Sequence, residues 1–94
     1  MQIMELKDTV HMMQDADYKE RFKAEYYQTK IRYEKLKSFN NKIEAANVTM
    51  YSTNKKCDMP VHDCPDELLV RQQRAMGEYL HVLEVRAVIE KIEL

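Results

Sequence analysis

One glycine, two prolines and no tryptophan stand in a chain of 94 residues. Sheets are turned by Gly, Pro and their small polar companions, and so few of the first two cannot supply the corners of a sandwich or barrel. Excess positive charge is missing as well: 15 Lys+Arg face 16 Asp+Glu, for a net charge of −1, which argues against binding duplex nucleic acid. No apolar run reaches membrane-spanning length, and the opening MQIMELKDTV has no cleavable apolar core. A protein that works off the membrane and inside a cell is therefore expected. There is no Gly-rich phosphate loop, no H-E-x-x-H and no Ser/His/Asp spacing, so neither catalysis nor a cofactor is expected. What the chain does have is 45% hydrophobic residues against 33% charged, a globular balance, with seven Met and a surplus of helix formers. An all-α fold follows.

The strongest periodicity runs over residues 17–43. Asp17 and Glu20 have the spacing of a capping box at its start. Phe22, Tyr26, Thr29, Tyr33, Leu36, Asn40 and Ile43 then recur in alternating steps of four and three, the seam offered to a partner helix. Asn40 interrupts that seam. It either fixes register as a buried amide or marks fraying at Asn40–Asn41, and the sequence leaves both open.

A second long helix is expected over 64–94, with Pro65 in its first turn, Asp66 and Glu67 complementing the dipole, and no strong stop before the end. It carries two apolar stripes. Leu69, Gln73, Met76, Leu80, Leu83, Ala87 and Leu94 form one; Leu68, Ala75, Tyr79, Val82 and Ile89 form the other. Together they exceed what one partner helix can cover, so the fold read from the sequence is an oligomeric hairpin of two long antiparallel helices. Asp at Leu80 or Leu83 is expected to dissociate or unfold it. Gly77, between the stripes, leaves room for another backbone. Ile3, Leu6, Val10 and Met13 have the spacing of a short amphipathic helix within residues 1–16. Residues 44–63 lack a helical period and read as a long loop, in which Val48–Tyr51 has strand propensity without a strand partner. The whole is expected to be one domain, 1–94.

Candidate chemistry is sparse. Cys57, His62 and Cys64 are metal-ligand types, but C-x4-H-x-C is not a zinc spacing and gives three ligands where four are needed. No metal is expected, and both thiols are expected to be free in an intracellular chain. What remains is a binding constellation: Tyr26, Tyr33 and Tyr79 as flat rings, Arg71, Arg74 and Arg86 as anion contacts. Rings stack on a base and a guanidinium fork holds phosphate, so this set can take a nucleotide. Each tyrosine has core packing as its competing explanation. For Arg86 the competitor is an ion pair across the hairpin to Glu25 or Glu34.

ERFKAEYYQTKIRYEKLKSF and CPDELLVRQQRAMGEYLHVLEVRAVIEKIEL together resemble small phage and prophage helical-hairpin proteins of the crAss-phage-related type. The positions that carry the likeness are Glu25, Tyr33, Lys35 and Leu36, then Cys64, Pro65, Leu68, Leu69, Gln72 or Gln73, Ala75, Met76, Tyr79, Leu80, Leu83, Arg86 and Ala87. Residues 1–16 and 44–63 extend beyond that pattern. In architecture alone the hairpin is also similar to the sponges by which phages withhold the cyclic nucleotide messengers of CBASS and Thoeris immunity. The resemblance implies an oligomeric anti-defence protein of the host cytoplasm that sequesters a nucleotide signal. A different class stays open: a protein–protein module that inhibits a host defence protein or assists virion assembly, using adaptable methionines such as Met1, Met4, Met12 and Met13.

Overall fold

The computed structural model describes residues 5–53 and 59–94. A 3₁₀ turn, Leu6–Thr9, runs into the single-turn helix α1, Val10–Met13; α2 spans Tyr18–Thr53 and α3 spans Asp66–Glu90. Among the described residues every regular element is helical. At 1.5 Å per residue α2 is about 54 Å long, which accounts for the longest dimension of the 55 × 25 × 22 Å molecule.

The start of α2 is held by its own acids. Asp17 Oδ1 accepts the Lys19 N–H at 3.0 Å, and Asp15 Oδ1 accepts the Asp17 N–H at 2.8 Å. The reciprocal half of the expected box is not made by Glu20, whose carboxylate pairs with Lys23 at 3.3 Å instead. Arg21 donates to the carbonyls of Asp15 and Ala16, both at 2.8 Å, and so fixes the turn before the helix.

α2 does not stop at Ile43. Ten further residues, read from the sequence as loop, are helical to Thr53. Neither Gly nor Pro intervenes, Ala46 is buried, and the strand-favouring Thr49 turns its hydroxyl back onto the Ala45 carbonyl at 2.7 Å. A local β preference is worth too little to interrupt a helix already propagating. Residues 59–65 lead into α3 beside α2, where the His62 ring meets Phe39 edge-on at 5.7 Å and its Nε2 lies 3.0 Å from Asp66 Oδ1. Pro65 falls just outside α3 as its N-terminal flank rather than inside its first turn.

α3 also ends earlier than residue 94. Lys91 adopts a left-handed conformation at φ 57°, and the chain folds back so that the Ile92 N–H donates to Ala87 O at 2.8 Å. This is a Schellman-type stop without glycine. Its apolar member is Ile92, which joins Phe22, Tyr26, Leu80, Leu83 and Ala87 in the core.

Antiparallel pairing is set by a ladder of contacts. Tyr18 meets Glu90, Tyr26 meets Glu84, Tyr33 meets Gly77 and Asn40 meets Gln73. Asn40 is buried, and its amide nitrogen donates to Leu69 O at 3.2 Å and Gln73 Oε1 at 2.8 Å. Of the two possibilities for this residue, register wins over fraying. Gly77 makes room for the Tyr33 ring, not for a backbone: a Cβ there would lie 3.3 Å from Tyr33 Cε1.

The two stripes of α3 fare differently. Leu80, Leu83 and Ala87 are buried inside the hairpin, whereas Leu68, Tyr79, Val82 and Ile89 stand 44–74% exposed. Leu80 and Leu83 are thus core residues of the chain itself, and Asp at either would unfold the hairpin before it could separate copies. The N-terminal segment packs on α2 and, among the described residues, not on α3. Thr9, fully buried, anchors it by accepting from Gln28 Nε2 at 3.2 Å.

Candidate functional site

Among the described residues, three clefts follow the groove between α2 and α3. The widest, about 420 Å³, lies at the end where α3 begins; α2 contributes Asn41, Glu44 and Asn47 to it, and α3 contributes Gln73 and Arg74. A second, about 210 Å³, opens near mid-hairpin beside Tyr26, Lys30, Tyr33 and Gly77. A third, about 240 Å³, is walled by Glu25, Tyr79, Val82 and Arg86.

Arg86 is closely held. Its Nε donates to Glu90 Oε2 at 3.0 Å and its Nη2 to the Tyr18 hydroxyl at 2.7 Å, while that hydroxyl donates to Glu90 Oε1 at 2.9 Å. The guanidinium also lies 5.1 Å from the centre of the Phe22 ring. The hydrogen bond that each donates to Glu90 is the main reason that both the Arg86 and the Tyr18 pKa rise above their ordinary values. The sequence pointed to Glu25 or Glu34 as the partner of Arg86. Glu90 takes that place because it is one helical turn away on the same face, which leaves Glu25 on the wall of the cleft.

Tyr26 is committed in another way. It is a core residue, and its hydroxyl donates to Glu84 Oε2 at 2.7 Å. Burial first, then that hydrogen bond, push its pKa well above the usual tyrosine range. Lys30 Nζ stands 5.8 Å from the centre of its ring.

These side chains lie within the span that the profile of one protein family matches, residues 16–89, and that family is Sequestin. The chain belongs to the Sequestin family. The match covers α2 up to its full length and nearly all of α3, and leaves out the 3₁₀ turn and α1. No curated protein and no solved structure matches the chain.

The Sequestin-matched span contains all six residues singled out from the sequence, but the hairpin does not gather them into one place. Tyr26 and Tyr33 share the middle cleft, Tyr79 and Arg86 share the third, Arg74 lines the widest, and Arg71 is exposed outside all three. Asn41, Asn47 and Gln73 were not singled out. Asn40–Asn41 and Asn47 are one heptad apart, which brings them to one region of a helix, but only if the helix continues beyond Ile43. Among the described residues no group of three His, Cys, Asp or Glu side chains is placed to hold a metal; Cys57 lies outside the described residues, and Cys64 is a free thiol. No helix among the described residues is long and apolar enough to cross a membrane.

Proposed function

We propose that this Sequestin-family chain is a phage-type anti-defence protein that binds a nucleotide immune signal in the host cytoplasm, withholds it and does not transform it. The match over residues 16–89 carries this reading, since the family's name denotes sequestration. One cleft sets Tyr26 and Tyr33 beside Lys30 and another sets Tyr79 beside Arg86, rings and cations that suit capture of a nucleotide. The working unit is an oligomer assembled through the exposed stripe of α3. The hairpin leaves Leu68, Tyr79, Val82 and Ile89 of that stripe to solvent, and a second copy would cover them.

Two measurements test this. Purified protein incubated with a panel of cyclic nucleotides should deplete the free signal, and heat denaturation should return it chemically unchanged. Depletion without recovery would mean an enzyme. In sedimentation at micromolar concentration the wild type should run as an oligomer, and Val82→Asp as a helical monomer; a monomeric wild type refutes the assembly. The same exposed band supports the second reading, an inhibitor of a host defence protein or a virion-assembly adaptor. No depletion of any nucleotide, together with co-precipitation of one host protein lost in Val82→Asp, would favour it.

A further inference from the structure

The third cleft has a shape that one helix makes for another. Tyr79, Val82, Leu83 and Arg86 stand at spacings of three, four and seven along α3, the four-cornered hole that receives one knob of a facing helix. Buried Leu83 is its floor, while Tyr79 and Val82 rise 44% and 47% exposed on its walls. The residue that α2 contributes, Glu25, is exposed and leaves the hole open. The stripe running through it repeats as a helical seam does: Leu68, Ala75, Val82 and Ile89 are spaced by sevens, and so are Gln72, Tyr79 and Arg86. A small molecule has no use for such a repeat; a second helix does.

Two polar groups at the hole say which side chain fits it. Among the described residues the Glu25 carboxylate has no hydrogen bond or ion pair, and neither has the Tyr79 hydroxyl. Arg86 is already held by Glu90 and Tyr18. The knob must therefore bring a ring large enough for about 240 Å³ and a donor for Glu25. On the exposed stripe the side chain that has both is Tyr79 itself. A knob beside its own hole suits a twofold, self-complementary pairing, in which each copy gives and receives the same side chain. Parallel copies would set Tyr79 beside Tyr79, short of the hole, and Arg86 beside Arg86, like charge against like. Antiparallel copies with Tyr79 at the centre of the hole have their axis level with Leu80 and His81. Arg86 then comes level with the partner's Ala75, the smallest residue of the stripe.

We propose that the third cleft receives Tyr79 of a second copy, with α3 packed antiparallel on α3 and each phenol donating to the partner's Glu25. The proposal rests on the oligomer reading above and gives that oligomer a geometry. Closed in this way, the third cleft no longer admits a nucleotide. The middle cleft beside Tyr26, Tyr33 and Lys30 stays open in both copies, because it lies on the other edge of α3, where Gly77 and Glu84 stand.

Disulfide trapping in the full chain, with Cys57→Ser/Cys64→Ser as background, reads the orientation. The two Ala75 residues lie about 17 Å apart along the helix axes, beyond disulfide reach, whereas the two Val82 residues lie within about 4 Å of the same level. Val82→Cys should therefore trap a covalent dimer and Ala75→Cys should not. Trapping through Ala75→Cys would mean parallel copies and overturn the proposal. Sedimentation equilibrium reads the contact. Tyr79→Phe and Glu25→Gln should each weaken the dimer about tenfold, the scale of a charged hydrogen bond, and the double variant no further. Circular dichroism should show wild-type helix content in all three, since both side chains are exposed in a single copy. Additive losses, or changes within twofold, would place the knob elsewhere and refute the pairing. A monomeric wild type removes the assembly and this proposal together. Nucleotide depletion is scored separately: if it persists while Val82→Cys fails to trap, sequestration stands and this interface falls.

Discussion

Replacing Asn40 offers the sharpest probe of what holds the two long helices in register. The side chain is 9% exposed and donates twice, to Leu69 O and Gln73 Oε1. Asn40→Ala removes both bonds and leaves the half-buried Gln73 amide to find water by itself. Two lost bonds at about 1 kcal/mol each, with little further penalty because Gln73 is partly solvated, give about 2 kcal/mol. For a domain of this size that lowers Tm by about 8–16 °C. The double variant Asn40→Leu/Gln73→Leu removes the donor and its side-chain acceptor together and should recover most of the loss, because the one acceptor that remains, Leu69 O, lies within the helical bonding of α3. Thermal melts followed by circular dichroism at one fixed protomer concentration measure all corners of the cycle. The reasoning fails if Asn40→Ala melts within about 2 °C of wild type, or if the two leucine substitutions simply add. A stabilised double variant should still show weaker hydrogen-exchange protection in both long helices, since an all-apolar seam no longer selects a single alignment.

Lys91→Gly should raise Tm by about 4–8 °C, because glycine avoids the 1–2 kcal/mol or so that an L-residue spends in the left-handed region and gives part of it back in chain entropy, for a net of about 1 kcal/mol; a lower Tm would mean that the Lys91 side chain contributes more than its backbone costs. Tyr26→Phe should cost about 1 kcal/mol at neutral pH through the lost bond to Glu84. It should also flatten the alkaline side of the stability profile. The folded pKa of Tyr26 is raised, so its contribution is complete below the ordinary value of 10.0 and is lost as pH climbs towards the raised one. Ultraviolet difference titration should show the last tyrosine to ionise missing from the variant; its persistence would assign the high value to another ring.

Much of the hairpin could be read directly, because the spacing of Phe22, Tyr26, Asn40 and Ile43 reports a buried face whatever the partner turns out to be. Boundaries were harder. The continuation from Glu44 to Thr53 is decided by helix propagation and by the burial of Ala46, and neither is a property of the local residues. Lys91 gives no signal of a stop at all: the turn there is stabilised by Ile92 entering the core, a contact visible only once α2 lies alongside. The same limit applies to the candidate site. Residue type identifies Arg74 and Arg86 as equivalent cations, and only the fold shows that Arg86 is occupied by Glu90 and Tyr18 while Arg74 has no such partner among the described residues. The amides of Asn41 and Asn47 were hidden for a simpler reason, since one of them lies in the stretch read as loop.

The ladder of cross-hairpin contacts also dictates an order of assembly. Asn40 and Leu69 are 29 residues apart in sequence, Tyr26 and Glu84 are 58 apart, and Tyr18 and Glu90 are 72 apart. Closing the longest of these loops from an open chain costs about 0.8 kcal/mol more than closing the shortest. Once the shortest is closed, each later rung closes only the short stretch of each helix beyond the last one, not its whole loop. The hairpin therefore closes from its polar end towards its apolar one. Asn40 and Gln73 test the alignment first, and a chain slipped by one turn fails there, before Phe22, Leu83 and Ile92 have been brought together. The buried apolar cluster is thus the last to form, and by then it has only one alignment to stabilise.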